Sequence, residues 1–397
     1  MSLGRPFALL WSAAALSNLG DGVRVAAFPL LAAQLTANPV VIASVAAAEF
    51  LPWVLFGPFA GSLVDRLPNL RVMLFVNAVR AVVIGGVSVA VVTGTMSVPL
   101  LVVAAVAYGV GETLYDTANS TVVPALVPLD RLERANGRLS VAETSSNEFI
   151  GPVLGAALFG LLAWSPFAVH AGALLVSVLL LSALSRQSPR RAVLEEESTD
   201  QPGVLVAVRH LLRDPVQRTI TAATAVIAAV DTAWFAILVV YAARVLEVPP
   251  SAYGLLLAVG GVGGIAGGVL VDRISARLGV VPVLVSAMLA CAVSQLAIGL
   301  TASAWVAGAA LAVSSAAFAV WNVQGLSVRQ RRSPSVMLGR LTSVHRTTVA
   351  AMSGIGGLLG GVAAEAYSVR APFLIGFPVL VVAAVVLAVA LAGRQDL

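Results

Sequence analysis

Charged residues are scarce in this sequence: they make up 11% of its 397 residues, whereas 59% are hydrophobic. A water-soluble globule of this length needs more polar side chains than that to cover its surface. The composition therefore excludes a soluble protein and indicates a chain that crosses a membrane many times. About twelve stretches are long enough to do so, because one spanning helix needs roughly 20 apolar residues.

Lysine is absent, and the sequence has one cysteine and three histidines. The lone cysteine, Cys291, lies within an apolar stretch and has no second cysteine for a disulfide within the chain. The His-Glu-x-x-His and Gly-x-Ser-x-Gly patterns of common hydrolases are also missing, which argues against an intramembrane enzyme. We therefore expect no enzyme activity, no metal site and no bound cofactor.

The arginines are concentrated in alternate connections between the apolar stretches. An excess of basic residues marks the cytoplasmic side of a membrane protein. The pattern predicts that both termini are cytoplasmic, and it explains the net charge of +5 without nucleic-acid binding. A chain without lysine and rich in Ala, Val and Arg is typical of a GC-rich bacterium, so the expected location is a bacterial cell membrane.

An internal repeat divides the chain into two halves. Gly61-Ser-Leu-Val-Asp65-Arg66 ends one apolar run, and Gly268-Val-Leu-Val-Asp272-Arg273 ends another, with 207 positions between the two aspartates. Asp21 and Asp231, each within an apolar run, are separated by a similar 210 positions. Internal repetition of this kind is typical of secondary transporters.

The repeat predicts three regions. Each half would contain six apolar spans, and the long polar connection between the halves would form a cytoplasmic linker that ends in a short amphipathic helix at the membrane interface. The expected boundaries are 1–185 for the first half, 186–215 for the linker and 216–397 for the second half.

The repeated loop resembles the cytoplasmic loop signature of the major facilitator superfamily. This resemblance implies an all-α membrane protein of twelve helices in two six-helix halves, which works by alternating access. The sequence departs from the usual pattern at Pro68-Asn69-Leu70, where the signature has further glycine and basic residues. The matching residues are Gly61, Asp65, Arg66 and Arg71 in the first copy and Gly268, Asp272, Arg273 and Arg277 in the second.

Shorter motifs resemble one branch of that superfamily, the macrolide and siderophore exporters and the Tap-type multidrug pumps. They include Ser17-Asn-Leu-Gly-Asp21 and Tyr115-Asp116, and Gly151-Pro152-Val-Leu-Gly155 is similar to the antiporter signature of drug exporters. The resemblance implies a monomeric exporter that exchanges protons for amphipathic small molecules, cationic ones included. Export of a siderophore or other endogenous metabolite is the alternative, and a non-transporting receptor is a more distant one.

Ionisable side chains within the membrane are energetically unfavourable unless they are paired or hydrated, so each is a candidate functional residue. Asp21 lies near the middle of the first span, where it would either bind protons or form an internal ion pair with Arg24 at i+3. Glu49 would be a protonated structural carboxyl or a second proton site. The residues predicted to line the proton and substrate cavity are Asp21, Arg24, Glu49, Asp231 and Trp234.

A second group of charges is predicted to gate the cytoplasmic side. We expect Arg80 to pair with Asp116 and Asp65 there, and not to contact the substrate. The remaining charges of both loops complete the predicted gate, whose members are Asp65, Arg66, Arg71, Arg80, Glu112, Asp116, Asp272 and Arg273.

Two further expectations concern packing and the histidines. Glycines spaced four apart let helices approach closely. The resemblance implies that spans two and eleven, and five and eight, meet between the halves, so the glycines on these spans would line sliding contacts there or serve static helix packing. His170 is expected to be solvated near the outer surface, and His345 to contact a cytoplasmic gate. The glycines are Gly57 and Gly61, Gly151 and Gly155, Gly260, Gly264 and Gly268, and Gly356 and Gly360.

Overall fold

A computed structural model describes residues 4–56, 67–128, 131–187, 204–333 and 338–392. Secondary structure in these ranges is helical, which confirms the all-α fold class. In chain order the helices are α1 (Arg5–Leu35), α2 (Pro39–Ala48), α3 (Leu51–Leu55), α4 (Asn69–Val92), α5 (Val98–Leu126), α6 (Leu132–Thr144), a π-helical segment (Ser145–Ile150), α7 (Gly151–Leu161), α8 (Ser165–Gln187), α9 (Val204–Arg213), α10 (Pro215–Phe235), α11 (Leu238–Arg244), α12 (Pro250–Leu278), α13 (Val280–Leu300), α14 (Ala304–Arg332), α15 (Leu338–Ala366) and α16 (Ala371–Leu391).

Nine candidate spans in the described ranges are long and apolar enough to cross a membrane. The chain is therefore a multi-pass membrane protein. The total of twelve spans and the cytoplasmic position of the termini stay predictions.

Three of the predicted spans are not continuous α-helices: the second, the fifth and the seventh, in which α10 ends at Phe235 and α11 begins at Leu238. In the second span, α2 ends at Ala48 and α3 begins at Leu51, with a turn at Glu49 and Phe50. Pro52 explains the break, because a proline has no N–H to donate and its ring clashes with the carbonyl four residues earlier. Glu49 is consequently held at a helix interruption.

The fifth predicted span contains the π-helical segment Ser145–Ile150 between α6 and α7. Pro152 lies two positions after the end of this segment, and the wider π turn accommodates the missing N–H and the bulk of the proline ring. Such insertions occur frequently at functional sites.

The chain forms two compact units that follow the halves of the sequence, apart from two short exchanged segments. Each unit has its own hydrophobic core, built around Met73 and Tyr115 in unit 1 and around Met288 and Trp321 in unit 2. Unit 1 consists of Met1–Thr36, Ala48–Glu197 and Pro250–Leu255, and unit 2 of Ala37–Ala47, Ser198–Pro249 and Leu256–Leu397.

The short helix α9 is amphipathic, as the sequence pattern predicts. Ala207 and Leu211 are buried on Leu341 of α15, whereas Leu205 and Leu212 are exposed. Its position at a membrane interface stays a prediction.

Glycines allow α7 and α15 to pack in close backbone contact with other helices of their own unit. A Cβ at Gly155 would lie 2.4 Å from the Val23 carbonyl oxygen of α1, and one at Gly360 would lie 1.9 Å from the Ala233 carbonyl oxygen of α10. Any larger residue at these two positions would force the helix backbones apart.

These contacts correct the expectation that the four-spaced glycines line sliding contacts between the halves. Gly151 and Gly155 face α1, and Gly356 and Gly360 face α10, so both pairs pack within one half of the sequence. Gly268 has no atom within 4 Å of the place a Cβ would occupy, and Gly57 and Gly61 lie outside the described residues.

Candidate functional site

A network of buried charges lies in unit 1, where α1, α4, α5 and α8 meet. At its centre, Arg80 Nη2 of α4 donates a hydrogen bond to Asp21 Oδ1 of α1 at 2.6 Å. The Arg80 side chain is 1% exposed and that of Asp21 is 7% exposed. An ion pair this deeply buried needs further hydrogen bonds to offset the loss of hydration.

Neutral polar side chains supply those hydrogen bonds. Arg80 Nη1 donates to Ser17 Oγ and to Asn77 Oδ1, each at 3.1 Å. Asn77 in turn donates to Ser177 Oγ at 3.0 Å, and Ser177 donates to the Ala13 carbonyl at 3.0 Å. The polar chain fixes the guanidinium of Arg80 and ties α4 and α8 to α1.

The Tyr108 hydroxyl of α5 joins Asp21, Arg80 and His170. It donates its one hydrogen to Asp21 and accepts a hydrogen bond from Arg80. His170 Nε2 lies 2.8 Å from the same oxygen. Because the hydroxyl hydrogen is already engaged, Nε2 must be the donor to the remaining lone pair.

This assignment leaves His170 Nδ1 as an unprotonated acceptor. The atom is buried and has no hydrogen-bond partner among the described residues, and the imidazole is fully buried. His170 is therefore a member of the network, and the expectation of a solvated outer histidine is wrong. Burial of the whole side chain against Tyr108 is the reason.

Both buried arginines lie over the ring of Tyr108. The guanidinium carbon of Arg80 is 4.3 Å from the ring centroid, and that of Arg24 is 4.7 Å away. Contacts of this length between a cation and an aromatic ring are attractive, and more so without competing water. Tyr108 thus stabilises two positive charges with its ring and a negative charge with its hydroxyl.

Arg24 binds two carboxylates, those of Glu49 and Glu112. Its Nη1 donates to Glu49, and its Nη2 donates to Glu112 Oε2 at 3.3 Å. Both glutamate side chains are 25% exposed, whereas Arg24 is 5% exposed. Two acids therefore share one base at the more accessible end of the network.

The antiporter-like motif lies beside Asp21. A Cβ at Gly151 would be 2.5 Å from the Cα atom of Gly22, and a Cβ at Gly22 would be 2.6 Å from the Ser146 carbonyl oxygen. Pro152 is buried in the first turn of α7. The motif and the π-helical segment thus bring the backbone of the fifth span against the turn of α1 that carries Asp21.

The structure corrects two pairings that the sequence suggested. Asp21 pairs with Arg80 and not with Arg24, because the position of Arg24 on α1 directs its side chain to Glu49 and Glu112. Arg80 was assigned to the cytoplasmic gate with Asp116, yet its ion pair is with Asp21.

Of the other predicted gate residues, Glu112 joins this network through its ion pair with Arg24. Arg71, in the first turn of α4, and Arg273 of α12 are exposed. Asp272 lies in α12, but its side chain is outside the described part of the molecule, as are Asp65 and Arg66 entirely. The cytoplasmic gate stays a prediction.

Asp231 and Trp234 belong to unit 2, where they lie one turn apart on α10. Trp234 is buried, with its ring centroid 5.7 Å from that of Phe373 and 5.8 Å from that of Phe235. Among the described residues no cation forms a salt bridge with Asp231. The two repeat-related aspartates therefore have different surroundings, and a role for Asp231 and Trp234 in the cavity stays a prediction.

Sequence reasoning missed five members of the network, which are Ser17, Asn77, Tyr108, His170 and Ser177. Ser17 precedes Asp21 by four positions, Asn77 precedes Arg80 by three, and Tyr108 precedes Glu112 by four. Residues at these spacings share a helix face, so polar side chains one turn from each buried charge were the available signal. His170 had no such neighbour in its own helix.

The described residues contain no group of His, Cys, Asp or Glu side chains arranged to hold a metal ion.

Comparison with known families agrees with this architecture. A major facilitator superfamily model described as a transmembrane secretion effector matches residues 4–395. The chain is a major facilitator superfamily transporter. The match covers nearly its whole length and confirms the resemblance carried by the loop and helix motifs.

Two of the curated proteins that this transporter resembles are efflux pumps. The chain is 30% identical over 226 residues to the multidrug efflux pump Tap of Mycolicibacterium fortuitum, covering 54% of each protein. It is 26% identical over 178 residues to macrolide efflux protein A of Streptococcus pyogenes, covering 43% of each. An uncharacterised transporter of Mycobacterium tuberculosis is 34% identical over 138 residues, which cover 34% of this chain and 31% of that protein. The matches thus span about a third to a half of these relatives.

Solved structures show the same fold. A point mutant of the nucleoside transporter NupG has a TM-score of 0.82 at 11% identity, and the match covers 97% of this chain and 100% of that one. A bacterial homologue of the iron transporter ferroportin has a TM-score of 0.80 at 18% identity, and the match covers 99% of this chain and 100% of that one. At these identities the likeness establishes the fold alone.

Proposed function

We propose that this transporter is a proton-coupled exporter of amphipathic small molecules, cationic ones included, and that it works by alternating access as a monomer in a bacterial cell membrane. The efflux pumps among its relatives support the direction of transport and the broad substrate class. The proton gradient would supply the energy, and no bound cofactor is needed.

One observation carries the coupling mechanism: three carboxyl groups share two guanidinium groups in the buried network. Asp21 has Arg80 to itself, whereas Glu49 and Glu112 share Arg24. With all five groups ionised the network would carry an excess negative charge. Low-dielectric surroundings oppose such an excess, so one carboxyl holds a proton until a cation arrives.

The exchangeable proton is best placed on Glu49 or Glu112. Both side chains are more exposed than Asp21, and a proton on either leaves the other paired with Arg24. A cationic substrate beside these glutamates would make the proton unnecessary and release it. Asp21, which the sequence marks as the first candidate, would hold Arg80 in place, and its neutralisation would disturb the same network through Tyr108.

A direct test measures proton release from the purified transporter. Adding ethidium, a lipophilic cation, to detergent-solubilised protein in weakly buffered solution should release protons detectable with a pH indicator. Glu112→Gln and Glu49→Gln should each reduce the release at saturating ethidium. Glu365→Gln is the matched control, because Glu365 is exposed on α15.

Transport itself is tested in proteoliposomes with an imposed pH gradient. Ethidium and a macrolide should be moved by the wild type and by Glu365→Gln, whereas Asp21→Asn and Glu112→Gln should lose most of the gradient-dependent transport. Failure of the gradient to drive any tested compound, or full coupling in both carboxyl variants, would refute the proposal. A thermal-shift response to siderophores alone would favour the alternative of metabolite export.

A further inference from the structure

A second polar site lies in unit 2, away from the buried network. A cavity with about 220 Å³ of empty space, part of it open to solvent, is enclosed by α10, α14 and α15. Its polar lining comes from Gln217 and Thr221 of α10, Arg329 of α14 and His345 of α15. The residues needed for this site all belong to one compact unit.

Arg329 is a partly buried cation that forms no ion pair with any residue in the described ranges. Its Nε and Nη1 atoms are out of contact with solvent and form no hydrogen bond in the described structure. No carboxylate among the described residues pairs with it. A guanidinium that has lost its water without gaining an anion is energetically unfavourable.

Asp214, three positions before Gln217 of the cavity lining, does not supply that anion. Asp214 Oδ1 accepts from the backbone N–H groups of Val216 and Gln217 at 2.9 and 3.3 Å. Its other oxygen accepts from Arg332 Nε at 3.1 Å. Asp214 is therefore engaged both as the N-cap of α10 and as the partner of a different arginine.

Helix direction adds to the positive potential of the cavity. Gln217 and Thr221 lie in the first two turns of α10, and His345 lies in the second turn of α15. The amino-terminal end of α10 thus borders the cavity and carries a partial positive charge. Of the arginines in the carboxyl-terminal turn of α14, Arg329 lines the cavity.

The lining also has unpartnered groups that suit a ligand hydroxyl. Gln217 is 3% exposed, and its Oε1 has no donor, although its Nε2 donates to the Arg332 carbonyl at 3.2 Å. His345 Nδ1 is likewise buried without a partner among the described residues. A ligand for this site would therefore combine an anionic group with a hydrogen-bond donor.

We propose that Arg329, Gln217 and His345 form a binding site for a ligand that combines an anionic phosphate with a hydroxyl group, either on the phosphate itself or on an attached glycerol. Two sources have this chemistry: inorganic hydrogen phosphate, and the phosphodiester headgroup of phosphatidylglycerol. The phosphate oxygens would accept from the Arg329 guanidinium, and the hydroxyl would donate to Gln217 Oε1. Ligand binding would lock the start of α10 and α15 to the end of α14.

The proposal is tested by thermal unfolding of the full-length protein in a neutral detergent. One series contains inorganic phosphate, a second contains short-chain phosphatidylglycerol, and a third contains phosphatidylcholine with the same acyl chains. A dose-dependent rise in Tm with phosphate identifies a soluble anion, and a rise with phosphatidylglycerol but not phosphatidylcholine identifies a lipid headgroup. Either result supports the site.

Two variants tie the effect to Arg329. Arg329→Gln should weaken the apparent affinity at least about tenfold, as expected when hydrogen bonds to a charged group are removed. Arg331→Gln is the matched control, because Arg331 is exposed two positions away, and it should keep the wild-type shift. Without ligand, Arg329→Gln should be as stable as the wild type or more so, since the change removes an unpaired charge.

Several results would overturn the site. They are the absence of a shift with both phosphate and phosphatidylglycerol, an equal shift with phosphatidylcholine, or an unchanged shift in Arg329→Gln. If Arg329→Gln does not fold, Gln217→Leu and Arg329→Lys give the same readout with smaller changes of charge. Loss of drug transport leaves these binding measurements unaffected, so the site and the proposed function are tested independently.

Discussion

Arg80 Nη2 lies 2.6 Å from Asp21 Oδ1 although 59 positions separate the two residues. The pair joins the first and third predicted spans at the most buried point of the network. Since the Arg80 side chain is 1% exposed, no water compensates either charge if the other is lost. The first prediction follows from this isolation.

Single neutralisation of the pair should destabilise the protein more than double neutralisation. Asp21→Asn or Arg80→Gln leaves an unpaired buried charge, which costs about 3–5 kcal/mol. The double variant carries neither charge and should be more stable than the sum of the two changes indicates. Thermal unfolding of all four proteins forms a double-mutant cycle, and additive losses would contradict the pairing.

Two substitutions of Tyr108 can separate the contribution of its hydroxyl to stability from that of its ring. Tyr108→Phe keeps the ring beneath both arginines and removes the bridge between Asp21 and His170, with an expected loss of about 1–3 kcal/mol. Tyr108→Leu also removes the two cation–π contacts, each worth roughly 0.5–2 kcal/mol. The order of stability should be wild type, Phe variant, Leu variant; equal stability of the two variants would rule out the ring contribution.

The effects of substitutions at Gly20 and His170 on stability should depend strongly on each other. A Cβ at Gly20 would lie 2.0 Å from His170 Cδ2, and the buried imidazole has no exposed space to move into. Gly20→Ala should therefore lower stability by about 1–3 kcal/mol, as overpacking does. In a His170→Ala background the same change should be nearly neutral. A loss of equal size in both backgrounds would show that the clash lies elsewhere.

Gly360 should tolerate no side chain, in contrast to Gly268. A Cβ at Gly360 would meet the Ala233 backbone oxygen at 1.9 Å, whereas one at Gly268 meets nothing within 4 Å. Gly360→Ala should destabilise unit 2 by about 1–3 kcal/mol because α10 and α15 must separate. Gly268→Ala is the matched control, and it should be neutral or stabilising by up to about 1 kcal/mol through helix propensity. The unfolding temperatures of both variants, each compared with that of the wild type, provide the measurement.

The stability of the protein should depend measurably on pH through Asp214, which lies outside the predicted spans. Partial burial raises the pKa of Asp214, but hydrogen bonds from Arg332, Gln217 and Val216 outweigh burial, so that the pKa falls below its ordinary value of 3.8. A lowered pKa in the folded state stabilises the protein above pH 3.8, and this contribution disappears as the pH drops through the folded-state value.

The matched variant for this effect is Asp214→Asn, which keeps an oxygen that can cap α10 but loses the charge. The wild type should be more stable than Asp214→Asn at neutral pH, and the difference should shrink below pH 3.8. Unfolding temperatures of both proteins across this range provide the measurement. A difference that grows on acidification would contradict the sign of the shift.

The sequence alone determined the class of the protein. Its apolar runs require a lipid environment regardless of how they pack, and the repeated Asp-Arg loops and the Gly151-Pro152 motif are local patterns that identify the superfamily. The amphipathic helix α9 also followed from local periodicity. These features depend on neighbouring residues in the chain, which the sequence displays directly.

Only the tertiary structure decided which charges meet. Helical spacing placed Arg24 near Asp21, yet the rotation of α1 directs Arg24 to Glu49 and Glu112 and leaves Asp21 to Arg80. Tyr108 and His170 became functional candidates through contacts between α5, α8 and α1. Such contacts depend on how helices far apart in sequence pack and rotate against one another, and spacing within one helix carries no information about that rotation.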